Sequence, residues 1–257
     1  MRHTVVPRRV RTRALSGLPL PCPVDRSTPE AVILDVDGTM YAQRPVRLGM
    51  LLRLSAHTLR HPRAGLACVR ALGAYRRAQE QLREASPTGG REDCDQLAFA
   101  ARLAGVDEDA MRSHVERWME RAPLDLITRA ARAGLREFLV AARARGSRIG
   151  VYSDYRAESK LAALGIRNLI DVVRSAQDGG DVRLKPDPAG LLLVASELGV
   201  LPASAVYVGD RVEVDAVAAR RAGMRAYIVK GRARAENEDW MPVEGFVELT
   251  RVLYPDR

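Results

Sequence analysis

Apolar residues in this chain gather into short continuous runs, separated by stretches of helical period, and each run stops on turn-forming or charged residues. Five such runs predict strands: AVILDVD at 31–37, RIGVYSD at 148–154, LIDVV at 169–173, AVYVGD at 205–210 and RAYIVK at 225–230. Strands that are apolar at consecutive positions are buried on both faces, as in a parallel sheet covered by helices. The covering helices are legible in AGLREFLVAARARG, RAESKLAALG, DPAGLLLVASELG and EVDAVAARRAG, which end at Gly146, Gly165, Gly199 and Gly223. Glycine suits the left-handed residue that closes a helix. The expected fold class is therefore α/β.

Residues 43–130 break the alternation. They hold no strand-like run and read as helices: one or two across 46–84, one across 91–104, and one from Asp107 to about Arg121, with SPTGGRED at 86–93 as a link. This predicts an all-helical insert at 43–130 within a core domain made of 31–42 and 131–257. Residues 1–30 are rich in arginine and broken by prolines, and are expected to form a disordered basic arm.

A chain of 257 residues can build one large α/β domain, or a domain carrying a smaller one. The formal charge of +9 raises the question of a nucleic-acid partner. The excess is diffuse, however, and almost wholly arginine; Lys160, Lys185 and Lys230 are the only lysines. With no aromatic-interleaved basic patch and no zinc spacing, nucleic acid is not the expected partner. Cys22, Cys68 and Cys94 form no CxxC pair, so neither a disulfide framework nor a zinc site is predicted, and a reducing cytoplasm fits. His57 and His61 stand four apart, but no glutamate follows His57 and Pro62 crowds the second. No run approaches the roughly 18 apolar residues that span a bilayer, and no secretory h-region is visible at the start.

Chemistry is expected where the strands end, because ligands of a parallel sheet bind beyond its carboxyl edge. The predicted strands end there in Asp35 and Asp37, in Ser153 and Asp154, and in Asp210, while the loop RLKPDP carries Lys185. Two apart on one strand, Asp35 and Asp37 can face the same cavity. Taken singly, Asp35 could cap a strand end, Ser153 could be a turn hydroxyl and Asp210 a helix N-cap. Lys185 is harder to assign to structure alone, since the chain spends arginine nearly everywhere else.

Together these segments resemble the haloacid dehalogenase superfamily in its phosphatase branch. The four ordered matches are DVDGT, Ser153 at the end of VYS, Lys185 in LKPDP, and GDRVEVD with Asp210 and Asp215, covering about 31–232. The resemblance implies a Rossmann-like parallel sheet core with an inserted C1-type helical cap at 43–130. It implies Asp35 as a nucleophile that forms an aspartyl-phosphate, and Asp37 as general acid and base. Ser153, the backbone around Asp154 and Lys185 would hold the phosphoryl oxygens. Asp35, the backbone carbonyl of Asp37 and Asp210 would hold Mg2+, with Asp215 supporting the metal shell or orienting Lys185. The implied activity is hydrolysis of a small phosphorylated metabolite; a phosphomutase would carry the same motifs, and a non-catalytic or nucleic-acid-binding role is the remaining alternative.

Tyr41, Gln43, Arg44 and Arg47 follow the first motif and are candidates for substrate specificity, for instance toward a second anionic group. The arginines could equally be solvated. GMLLRLSAHTL at 49–59 is more apolar than a typical cap opening, which leaves two readings: cap core, or contact with a partly lipophilic substrate.

Overall fold

The computed structural model describes residues 28–85, 95–178, 183–229 and 240–255. Six strands, β1 (Ala31–Leu34), β2 (Arg148–Ser153), β3 (Val172–Ser175), β4 (Ala205–Gly209), β5 (Arg225–Val229) and β6 (Trp240–Val243), form one sheet in the order β3-β2-β1-β4-β5-β6. All neighbours are parallel, and β1 is central, with Ala31 in register with Arg148 on one side and Ala205 on the other. The strand order reverses between β1 and β4, so the ligand crevice of such a sheet falls at their carboxyl ends.

Between β1 and β2 run α1 (Gln43–Arg60), α2 (Pro62–Ala85), α3 (Gln96–Ala104), α4 (Glu108–Val115), a π-helical turn at Glu116–Arg121 and α5 (Leu124–Arg129). The sheet is covered by α6 (Leu135–Ala144), α7 (Glu158–Ala163), α8 (Ala189–Leu198), α9 (Val217–Ala222) and α10 (Phe246–Leu253). Alternate β1 residues serve opposite faces. Val32 and Leu34 pack with Phe138 of α6 and Phe246 of α10, while Ala31 and Ile33 pack with Leu191 of α8 and Ala218 of α9.

The four glycines expected to close helices all have positive φ, from 65° to 83°. Two expectations need correction. The third strand lies later than LIDVV: Arg167–Leu169 is a 3-10 turn, and β3 begins at Val172. Ile170 is apolar because it is buried in the core from the turn, not because it is in the ladder. The strand β6 was not expected at all, since its run WMPV contains proline, which a sheet tolerates at its edge. Lys230, Cys22, Cys94 and the link at 86–93 lie outside the described residues.

The helical insert leaves and rejoins the sheet through a paired neck. Ala42 N–H donates to the Ala130 carbonyl at 2.9 Å, and Arg132 N–H to the Met40 carbonyl at 3.0 Å. Within the insert, Ala71, Ala74 and Ala78 of α2 meet Ala100 and Ala101 of α3, small residues that let the helices approach closely. His57 packs its ring 5.2 Å from His61 and 5.1 Å from Trp118. Among the described residues, neither histidine belongs to a group that could hold a metal.

Candidate active site

Asp35 follows β1 directly, and its N–H extends the ladder to the Val208 carbonyl at 2.9 Å. Its carboxylate is buried, accepting from Lys185 Nζ at 2.6 Å on Oδ1 and from Thr39 Oγ1 at 3.0 Å on Oδ2. The Lys185 ammonium also donates to Asp215 Oδ1 at 2.7 Å and to the Tyr207 hydroxyl at 3.0 Å, and that hydroxyl donates on to Asp215. A widened helical turn at Val212–Ala216 brings Asp215 Oδ2 back onto the N–H groups of Asp210 and Arg211, at 3.1 and 2.9 Å.

One ammonium thus serves two buried carboxylates, and they respond differently. Burial opposes the charge of Asp215, but Lys185 and the two backbone donors hold it below the usual carboxylate range. Burial pushes Asp35 up to about 8, with the charges of Asp215 and Asp37 adding to it and Lys185 opposing. Lys185 is itself held charged: burial works against its ammonium, and Asp215 and Asp35 outweigh that. The site carries an excess of negative charge, which a cation would relieve.

Asp35, Asp210 and Asp215 each offer a carboxylate oxygen within 4.8 Å of the others. An all-oxygen donor set fits a hard divalent ion such as magnesium. Asp215 also has both oxygens in hydrogen bonds with Lys185, Tyr207 and backbone donors, so it holds the Lys185 ammonium together with Asp35 while staying within the donor group. Asp210 lies over Gly38, whose φ is +98° and where an added Cβ would stand 2.3 Å from Asp210 Oδ2. Only glycine leaves that space.

The Asp37 carboxylate is outside this group. Lys160 Nζ of α7 donates to both of its oxygens, at 2.7 and 2.6 Å, and the Tyr41 hydroxyl donates to Oδ1. Asp154 is a strut: Oδ1 accepts the Lys185 N–H at 3.0 Å and Oδ2 accepts from Arg83 at 2.9 Å. Arg83 reaches down from α2 and also donates to the Lys185 carbonyl at 2.9 Å. Ser153 is buried, and its hydroxyl accepts the Tyr155 N–H at 3.2 Å.

A cavity of about 630 Å³ lies over these groups, between sheet and insert. Asp35, Asp37, Asp154, Lys185, Asp210 and Asp215 all line it, as do Tyr41, Gln43 and Arg47; Ser153 and Arg44 are not among its lining residues. Lys160, Arg83, Thr39 and Tyr207 were not anticipated from sequence. The scarcity of lysine that singled out Lys185 would have singled out Lys160 as well.

Fold and site together define a Rossmann-like α/β enzyme with its acidic centre at the switch point of the sheet and a helical insert above it. The chain belongs to the haloacid dehalogenase-like hydrolases, whose family model matches residues 29–223. A phosphoglycolate phosphatase of Rhodospirillum rubrum is 31% identical over 219 residues, 78% of this chain and 79% of the relative. One from Xanthomonas campestris is 31% identical over 202 residues, covering 76% and 80%. The Bacillus subtilis protein YhcW is 37% identical over a shorter stretch, 40% of this chain and 46% of its own. Among solved structures, a haloacid dehalogenase-type phosphatase from Thermococcus onnurineus superposes with a TM-score of 0.59 at 22% identity, covering 89% of this chain and 99% of that one. A 2-haloacid dehalogenase from Pseudomonas syringae gives 0.60, also at 22% identity, covering 87% and 97%.

Proposed function

We propose that the chain is a Mg2+-dependent phosphatase that hydrolyses a phosphorylated metabolite through an aspartyl-phosphate on Asp35. The observation that carries this reading is Asp35 itself, at the tip of the central strand, with an ammonium at 2.6 Å and a second carboxylate, Asp210, in the same donor group. A carboxylate approaching a phosphate dianion meets repulsion of about 5 kcal/mol per unit pair at roughly 3.5 Å and an effective dielectric near 20. Magnesium, held by Asp35, Asp210 and the backbone carbonyl of Asp37, would supply the positive charge that offsets this and keep Asp35 ionised.

In the first step an Asp35 oxygen forms a bond to phosphorus and the ester oxygen leaves, taking a proton from Asp37. Lys185 stabilises the phosphoryl oxygens as charge shifts among them. Water then attacks phosphorus, giving its proton to Asp37, and the bond to Asp35 breaks. Residues 43–130 act as the cap that excludes bulk water during these steps. Asp154 supports the cradle by fixing the Lys185 backbone. Cysteine usage without a CxxC pair fits a reducing cytoplasm, and Cys68, buried and with its thiol pushed up to about 11 by burial, is an unreactive core residue.

Phosphoglycolate, named for two of the relatives, is the first substrate to test. Phosphate release is measured with magnesium across phosphoglycolate, sugar phosphates, nucleotides and p-nitrophenyl phosphate, with Asp35→Asn as the blank. Turnover by the wild type and none by the folded variant is expected. Isomer formation without phosphate release would make the protein a phosphomutase, and equal activity of the variant would reject Asp35 as nucleophile.

A further inference from the structure

The cavity over Asp35 extends along the insert, and its volume of about 630 Å³ lies in the range that encloses a drug-sized ligand. The insert contributes Leu51 and Leu54 of α1, Leu72 of α2, and Trp118 and Met119 of the π-helical turn to its wall. These are not simply the core of the insert. That core is Ala71, Ala74, Tyr75 and Ala78 against Ala100, Ala101, Met111 and Val115. Leu51, Leu54, Leu72 and Trp118 take part in none of the three apolar clusters among the described residues. Of these, Leu51 is 62% exposed and so is reachable from solvent. These apolar side chains thus share the cavity lining with charged ones, Arg47, Arg76, Glu120 and Arg156 among them, so the chamber offers both apolar and polar surface.

One polar group on this wall points to a ligand as well. Gln79 is 2% exposed and lines the cavity; its Oε1 accepts from the Tyr155 hydroxyl, and its Nε2 has no partner. A buried donor without an acceptor costs stability unless something supplies the acceptor. Gln79 is tied through Tyr155 to the catalytic floor, since the Tyr155 ring lies 5.4 Å from Lys160 Nζ, the partner of Asp37.

We infer that the substrate is an amphiphilic phosphomonoester, with an apolar chain or ring seated against Leu54, Leu72 and Trp118 and an acceptor oxygen near the phosphoester that meets Gln79. This rests on the phosphatase reading for its chemistry but not for its binding.

The test is a series of n-alkylphosphonates from two to eight carbons, bound to the wild-type protein with magnesium and followed by calorimetry. Affinity should tighten by roughly fourfold per methylene while the chain stays within the wall, with an increasingly negative heat-capacity change. Leu72→Gln, at a half-buried position outside the clusters, should flatten the series. A phosphonate carrying an ether oxygen next to its first carbons should bind more tightly than its all-methylene isostere, and Gln79→Met should abolish that preference. Affinity independent of chain length would overturn the inference even if every compound of the matching phosphate series is hydrolysed. Tightening along the phosphonates with no phosphate release from the phosphates would keep the inference and reject the phosphatase reading.

Discussion

The Lys160 ammonium faces both oxygens of Asp37, at 2.7 and 2.6 Å, and joins buried Lys160 of α7 to half-buried Asp37 beyond the end of β1. With Tyr41 donating to the same carboxylate, the group proposed to shuttle the proton has little rotational freedom. A proton donor acts only if it is held within hydrogen-bonding reach of the leaving oxygen, and such help is worth about 10²–10⁴-fold. Lys160→Met should therefore cut kcat roughly ten- to hundredfold for alkyl phosphates, whose leaving oxygen needs the proton. It should do far less to p-nitrophenyl phosphate, whose leaving group does not. In an Asp37→Asn background the substitution should add little further loss. Equal losses for both leaving groups would mean that Lys160 only supports the fold.

Gly38 tests how the proposed metal site is built. Alanine there must adopt a φ of +98° and place its Cβ 2.3 Å from Asp210 Oδ2, so either the backbone or Asp210 has to move. The strained backbone costs about 1–3 kcal/mol. Gly38→Ala is expected to fold with a lowered denaturation midpoint. It should also need more magnesium for half-maximal phosphate release, because Asp210 is displaced. A magnesium titration identical to that of the wild type would show that Gly38 does not set the position of Asp210 at the metal.

Asp35 gives a pH dependence whose sign is fixed by its environment. Burial holds its carboxyl protonated up to about 8, against an ordinary value of 3.8. Between these values the native protein binds a proton that the unfolded chain has released, so stability falls as pH rises. The contribution is fully present below about pH 4 and is lost as pH passes through 8. In metal-free protein, the thermal midpoint of the wild type should decline from pH 5 to 8 relative to Asp35→Asn. Magnesium, by favouring the ionised form, should remove most of that decline. A difference between the two proteins that does not change with pH would contradict the buried, shared-ammonium geometry.

The sheet was legible in sequence because its strands are buried on both faces, which leaves uninterrupted apolar runs such as AVIL and AVYVG. Their ends announced the acids of the site for the same reason: a charged residue directly after such a run stands out. What escaped depends on contacts between distant residues. Tyr41 is a specificity candidate from its place after the first motif and does line the cavity; the bond of its hydroxyl to Asp37 is a contact the sequence does not announce. Arg83 is one arginine among many, and its partner Asp154 is 71 residues away, so nothing local distinguishes it. For Asp154 the expectation concerned its backbone; that its carboxylate ties the Lys185 loop to the insert was not visible in sequence.

Arg83 is the strut by which the insert grips the loop that carries Lys185. From α2 it pairs with Asp154 at 2.9 Å, donates to the Lys185 carbonyl at 2.9 Å, and is steadied from its own helix by Glu80 at 2.6 Å. Both Arg83 and Asp154 are largely shielded from water, with side chains 10% and 12% exposed. Removing the guanidinium leaves the Asp154 charge with the Lys185 N–H and takes away the hydrogen bonds to Asp154 and to the Lys185 carbonyl, a charge-assisted bond being worth about 1.5–3 kcal/mol. Arg83→Met should lower stability by that order in urea denaturation. It should also speed amide hydrogen exchange along residues 183–188, because the loop loses its hold on α2. As that loop carries Lys185, kcat is expected to fall while Asp35 still accepts phosphate. Unchanged exchange in the loop, with stability lost all the same, would mean that Arg83 braces the insert alone and does not set the position of Lys185.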